Sequence, residues 1–325
     1  MTVSQSVKNE ILKNCDALEP CCKAAFLSAS VRSAGSLEIS RRGMGFSLLS
    51  ENLALLKFTA SILQKQYGAA GEITAEENRL TKKMQYTLFV DGADDILRET
   101  GIVSFDANGL RQINYGIDPY LVSNECCAKT YLKAFFLGAG ALEVPVSDGT
   151  GGYHLEFDAT ASETAEGLKA LLESFGFPAK ITPRKHSFVV YLKDKERISD
   201  LLAFFGASRG VMTLQNIILE RSVRNLRNRQ TNCITNNISK AVDASVKQIR
   251  AIEKIRDTRG LESLPEKLRD LAELRLSHPT ASMEELVQCS KEPIGKSGIN
   301  HRFRKILALA EEINKSEADY EKQNH

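Results

Sequence analysis

The sequence predicts a duplicated α+β domain, each copy running helix, strand, strand, helix, strand, strand, helix, followed by an all-α helix-turn-helix domain. Three observations carry that prediction. The segment Cys21–Ile39 recurs as Cys126–Val144 at a constant offset of 105 residues, and the paired cysteines, Leu27/Leu132, Ala29/Ala134, Ala34/Ala139, Gly35/Gly140, Leu37/Leu142 and Glu38/Glu143 coincide without a gap. Charge is spread unevenly: residues 1–208 carry a net −3, residues 209–256 a net +7 and residues 257–325 a net −2. Beyond residue 237 the apolar spacing turns helical and is punctuated by serine caps, prolines and glycines.

Each copy opens with a helix rich in small residues, ended by a glycine and followed at once by alternating Leu-Glu-Ile or Leu-Glu-Val, the period of a strand. Phe46–Leu49, Tyr86–Val90, Tyr153–Phe157 and Phe188–Leu192 are further strand candidates, and Leu53–Gln66 and Glu163–Ser174 are helix candidates. Tyr67-Gly68 matches Phe175-Gly176 and Ile73-Thr74 matches Ile181-Thr182 at an offset of 108, so the copies differ by a few residues in one loop. The repeats span about 15–105 and 120–208 within a domain covering 1–208. In an alternating strand Leu37 and Ile39 face the helices and Glu38 the open side; His154, Glu156 and Asp158 collect on the open side of the second copy.

The nine positions Leu27–Gly35 and Leu132–Gly140 resemble the motif of the LAGLIDADG homing-endonuclease fold, in which two such helices pack together and send glycine-ended tips into an active site. The resemblance implies a metal-holding Asp or Glu just before the final glycine. Those positions are Ala34 and Ala139, and a methyl group cannot ligate Mg²⁺. The expectation is a catalytically inactive scaffold with no catalytic residue, metal or cofactor. The alternative is a metal-dependent endonuclease whose carboxylates have moved to Glu38 and Glu143, with the acidic open face otherwise repelling phosphate.

With 325 residues and 42% hydrophobic content the chain can bury cores for two or three domains. No apolar run approaches the length of a membrane span and the first residues lack the apolar stretch of a signal peptide, so a soluble, cytoplasmic protein is expected. Seven cysteines (15, 21, 22, 126, 127, 233 and 289) show no Cys-x-x-Cys spacing, which argues against a zinc ribbon and a disulfide framework. The pairs Cys21-Cys22 and Cys126-Cys127 read as buried small hydrophobes or as redox sensors.

Residues 209–237 read as a basic linker in which Arg221, Arg224, Arg227 and Arg229 are separated by Asn, Ser and Gln, donors suited to phosphate oxygens. A helical DNA-binding domain is expected over 238–313. Ile238, Val242, Ile249, Ile252 and Ile255 form one stripe that ends at Gly260. Ser263-Leu264-Pro265-Glu266 is read as a capping box opening a helix through Leu268, Leu271 and Leu274, closed by His278-Pro279. Ser282-Met283-Glu284-Glu285 is a second capping box for a helix to about Ser290, and after a turn with Pro293 and Gly295 a last helix starts near Ser297. Short helix, turn and longer helix over about 280–313 is the helix-turn-helix layout, with 314–325 as a polar tail. Ile299, Phe303, Ile306, Leu307, Ala310 and Ile313 make the apolar face; Ser297, His301, Arg304 and Lys305 centre the other, flanked by Asn300 and Arg302. Asn and Arg read adenine and guanine edges in the major groove, with Lys296 and Lys305 available to phosphate.

The duplicated LAGLIDADG-like pair, the Arg/Asn-rich linker, His278-Pro279-Thr280-Ala281-Ser282 and Lys296–Ile306 together resemble the WhiA family of sporulation and cell-division regulators. That resemblance implies a nucleoid-associated transcription regulator of cell-division and sporulation genes that binds double-stranded promoter DNA. The expected roles are base reading by the C-terminal helices and phosphate contact by the linker. The duplicated domain is expected to serve as scaffold or as a surface for a protein partner.

Overall fold

A computed structural model describes residues 2–15, 18–145 and 151–323. The chain divides into two compact units, Met1–Ser222 and Val223–His325.

In the first unit a leading helix α1 (Val3–Lys13) precedes the first repeat: α2 (Pro20–Ala34), β1 (Gly35–Ser40), β2 (Gly43–Ser50), α3 (Leu53–Tyr67), β3 (Glu72–Glu77), β4 (Met84–Val90) and α4 (Asp94–Glu99). A two-stranded hairpin, β5 (Val103–Phe105) and β6 (Arg111–Ile113), separates the copies. The second repeat is α5 (Glu125–Ala139), β7 (Gly140–Glu143), β8 (His154–Ala159), α6 (Ser162–Ser174), β9 (Lys180–Pro183), β10 (Phe188–Leu192) and α7 (Lys195–Phe204). The two four-stranded antiparallel sheets have the same order, β1-β2-β4-β3 and β7-β8-β10-β9. Leu37 pairs with Phe46 in the first and Leu142 with Leu155 in the second.

Helices α2 and α5 are apolar or small almost all round. In α2 every residue from Ala24 to Val31 is buried, and in α5 Tyr131, Leu132 and Ala134–Leu137 are buried. A helix without a polar face must sit inside a core, and the two pack against each other within one cluster that draws on both repeats.

The glycines that end α2 and α5 are extended, at φ −102° and −89°, and not in the left-handed conformation of a glycine cap. Their reason is space. A Cβ on Gly35 would come within 2.9 Å of the Val31 Cα, and one on Gly140 within 2.6 Å of the Phe136 carbonyl oxygen. The strand must turn off the helix with no room for a side chain. Left-handed glycines occur at the other matched pair, Gly68 (φ 64°) and Gly176 (φ 81°), which follow α3 and α6.

The expected alternation holds in β8, where Leu155 and Phe157 are buried and His154, Glu156 and Asp158 lie on the less buried face. It fails at the end of β1, where Ile39 is 87% exposed while Leu37 packs against the core. Glu38 and Glu143 are both exposed.

The predicted break between a basic linker and a helical domain at residue 237 is absent. Ser208–Arg259 is one 52-residue helix, α8, and the division between units falls within it at Ser222/Val223. Beyond it come α9 (Glu266–Ser277), α10 (Met283–Cys289) and α11 (Lys296–Gln323), so helix also continues through most of the expected polar tail. Ser263 does not cap α9. It ends a short 3₁₀ turn and donates to the Gly260 carbonyl, and Pro265 takes the cap position without a side-chain bond. The second box forms as read: the Glu285 amide donates to Ser282 Oγ at 3.2 Å, and Glu285 accepts from the Ser282 amide at 2.6 Å.

Candidate nucleic-acid interface

The second unit has its own core, in which Ile252 and Ile255 of α8 meet Leu268 and Leu271 of α9, Leu286 of α10 and Ile299, Phe303 and Ile306 of α11. This burial holds the opposite face of α11 towards solvent. The upstream half of the α8 stripe does not join that core. Ile238 and Val242 are exposed; the isoleucines from 252 onward do the packing.

Arg275, which the sequence reading passed over, organises the turn before α10. It is buried, stacks over the Phe303 ring at 5.4 Å and donates to the Ala281 carbonyl at 2.6 Å. Ser245 of α8 donates to the Pro279 carbonyl, also at 2.6 Å. An ordinary periodicity scan counts Arg275 as a surface cation on α9, so only the proximity of the His278–Ser282 turn reveals its role. Burial lowers its pKa from the ordinary value, yet a guanidinium stays charged.

The predicted contact residues fall into two groups. Ser297, His301, Arg304 and Lys305 are exposed on the outer face of α11, and Asn300 is half-buried beside them. Lys296 and Arg302 are engaged within the domain. Lys296 forms an ion pair with Glu284 of α10 and holds that carboxyl below the usual range. Arg302 pairs with Glu292 at 2.8 Å, only 19% of its side chain is exposed, and it depresses the Glu292 carboxyl in turn. The fork of Arg302 therefore braces the turn between α10 and α11, because the short loop brings Glu292 under it. It is not presented as a base reader.

On α8, residues 222–244 are all exposed, including Arg224, Arg227 and Arg229; Arg221 is half-buried, its guanidinium over the Tyr153 ring at 5.8 Å. Arg227, Arg229, Arg304 and Lys305 form no ion pair with other described residues. Cations held exposed and uncompensated make a positive surface.

The relocated-carboxylate expectation concerned Glu38 and Glu143. Among the described residues neither belongs to a group of three or more potential metal ligands. The acidic open face of the second repeat is also partly neutralised: Glu156 accepts from Arg184 at 2.8 Å and lies 3.0 Å from His154, and Arg184 also reaches Asp158 at 3.9 Å. Ala34 and Ala139 lie at the last turns of α2 and α5, half-buried.

The same helices bring together something the sequence spacing had argued against. The Sγ atoms of Cys21, Cys22, Cys126 and Cys127 all lie within 4.8 Å of one another. The signal was available in the duplication itself, since equivalent positions on two packed helices meet across the axis relating them.

A duplicated LAGLIDADG-like core carrying alanine in place of both motif acids, joined to a helix-turn-helix domain with an exposed basic face, defines a class of helix-turn-helix proteins built on a nuclease-like scaffold. The chain belongs to the WhiA family. Residues 20–103 match the WhiA N-terminal LAGLIDADG-like domain, 128–224 the WhiA LAGLIDADG-like domain and 228–310 the WhiA C-terminal HTH domain. A relative from Alkaliphilus metalliredigens (strain QYMF), named probable cell division protein WhiA, is 38% identical over 321 residues, covering 96% of this chain and 98% of its own. One of the same name from Clostridium tetani is 38% identical, covering 97% and 99%. The crystal structure of full-length DUF199/WhiA from Thermatoga maritima shares the fold, with a TM-score of 0.55 at 24% identity over 96% of this chain and 99% of that one. No helix among the described residues is long and apolar enough to cross a membrane.

Proposed function

We propose that this protein is a sequence-specific DNA-binding transcription regulator of cell-division and sporulation genes, cytoplasmic and nucleoid-associated, with a catalytically inactive duplicated domain. The observation that carries the reading is the outer face of α11, where Ser297, Asn300, His301, Arg304 and Lys305 stand behind a capped α10. Ser282, Arg275 and the Arg302–Glu292 pair hold that arrangement. The basic stretch of α8 supplies phosphate contacts through Arg224, Arg227 and Arg229, with Arg221 at its edge. Asn300 and Arg304 read base edges, each lost contact costing about 1–3 kcal/mol of discrimination. The duplicated domain serves as scaffold and as the surface for a protein partner.

Genome-wide mapping of DNA bound by the full chain, followed by footprinting with Asn300→Ala and Arg304→Ala, tests this. A footprint whose sequence preference survives both changes removes α11 as the reader. The enzyme alternative has its own arm: cleavage of supercoiled plasmid with Mg²⁺ or Mn²⁺, abolished by Glu38→Gln or Glu143→Gln, would overturn the inactive-scaffold reading.

A further inference from the structure

Cys21 and Cys22 lie in the first turn of α2, Cys126 and Cys127 in the first turn of α5, and the packing of those helices sets the four sulfurs face to face. Within the second pair the sulfurs are 3.9 Å apart. A tetrahedral zinc tetrathiolate with Zn–S of about 2.3 Å has sulfur–sulfur edges of about 3.8 Å. The 3.9 Å pair matches such an edge, and the other sulfurs, all within 4.8 Å of one another, lie within about 1 Å of the spacing a mononuclear site needs. Cys21 and Cys126 are exposed while Cys22 and Cys127 are buried, giving an ion an entry side and a shielded side.

We infer that Cys21, Cys22, Cys126 and Cys127 form a tetrathiolate site for a single Zn²⁺ or similarly soft divalent ion, clamping the two repeats together across α2 and α5. Four thiols bind one ion by releasing four protons, leaving a site of net charge −2 and no change of oxidation state. Two features accommodate that charge. Both pairs sit at helix N-termini, where the unpaired amides favour thiolate. Lys133 is close enough for its charge to be felt at Cys22. Cys-x-x-Cys arithmetic misses the site because each helix contributes adjacent residues and the duplication supplies the other half.

The test titrates the full-length protein, purified under reductant, with Co²⁺ and then Zn²⁺. The expected result is about one Co²⁺ per chain with a sulfur-to-cobalt charge-transfer band and the intense d–d bands of tetrahedral thiolate, displaced by Zn²⁺. Cys21→Ser and Cys126→Ser, both at exposed positions and checked for retained helicity by circular dichroism, lose the spectrum and the rise in Tm that Zn²⁺ gives the parent. Cys233→Ser and Cys289→Ser keep both. If the four thiols titrate as free and no tetrahedral spectrum develops, the site does not exist. A mass showing loss of hydrogen at either pair in the reduced preparation, which marks a disulfide, overturns the inference equally.

Discussion

Replacing Arg227, Arg229, Arg304 and Lys305 together by Gln isolates the electrostatic share of DNA binding. These four side chains are exposed and form no ion pair with described residues, so their removal breaks no such pair within the fold. Each phosphate contact contributes about −0.9 to the slope of log K against log salt, so four contribute about −3.6. Between roughly 50 and 200 mM salt, a fourfold change, that share is worth about 10²-fold in affinity. Fluorescence anisotropy of a labelled promoter duplex over this range should give the quadruple variant a slope shallower by about 3 to 4, with circular dichroism unchanged. The contrast is Arg302→Ala, which loses the Glu292 pair and should lower Tm while leaving the slope near the parent value. A quadruple variant with the parent's slope, or an Arg302→Ala protein that loses slope with no loss of Tm, would refute the assignment of which cations face DNA.

Three further outcomes follow from packing and charge. Gly138→Ala places a Cβ 2.8 Å from that of Ser33 where α2 and α5 cross, and should cost about 1–3 kcal/mol in urea unfolding through overpacking; the double change with Ser33→Gly should recover much of that loss. Arg275→Met keeps the stacked bulk against Phe303 but strands the Ala281 carbonyl, and should destabilise the second unit by about 1–3 kcal/mol with DNA binding weakened at the same time. Burial lowers the Lys8 ammonium from 10.5 to about 8, against the opposing pull of Glu51. Because the unfolded chain keeps that proton to higher pH, stability should rise between about pH 8 and 10.5, and Lys8→Met should be more stable than the parent at pH 7 and lack that rise.

The duplicated fold was legible because the constraint is repeated. Small residues at matched positions in Leu27–Gly35 and Leu132–Gly140 specify two helices in close contact, and Leu-Glu-Ile and Leu-Glu-Val fix the first strands. The apolar face of α11 was legible for a similar reason, since Ile299, Phe303 and Ile306 sit at helical spacing. What escaped depended on partners distant in sequence. On a helical projection Arg302 borders the polar face beside Lys305, at the edge away from Asn300, yet Glu292 draws it inward. Lys296 is held by Glu284 from the preceding helix. The helical state of residues 209–237 escaped because Asn and Thr there are weak helix formers, while the structure carries α8 through them without interruption. The cysteine cluster escaped because ligand spacing rules assume one loop or knuckle, and here the geometry comes from two helices a whole repeat apart.

Ser33 and Gly138 occupy the same place in the two repeats, and across the α2–α5 crossing they fill one another's space. In an ancestor made of two identical chains, one residue type would have had to meet its own twin there, and the gap accepts only one hydroxymethyl group. A single polypeptide carrying both copies has no such requirement, so one side holds a serine and the other no side chain. The pair records a lock that a symmetric dimer could not have cut.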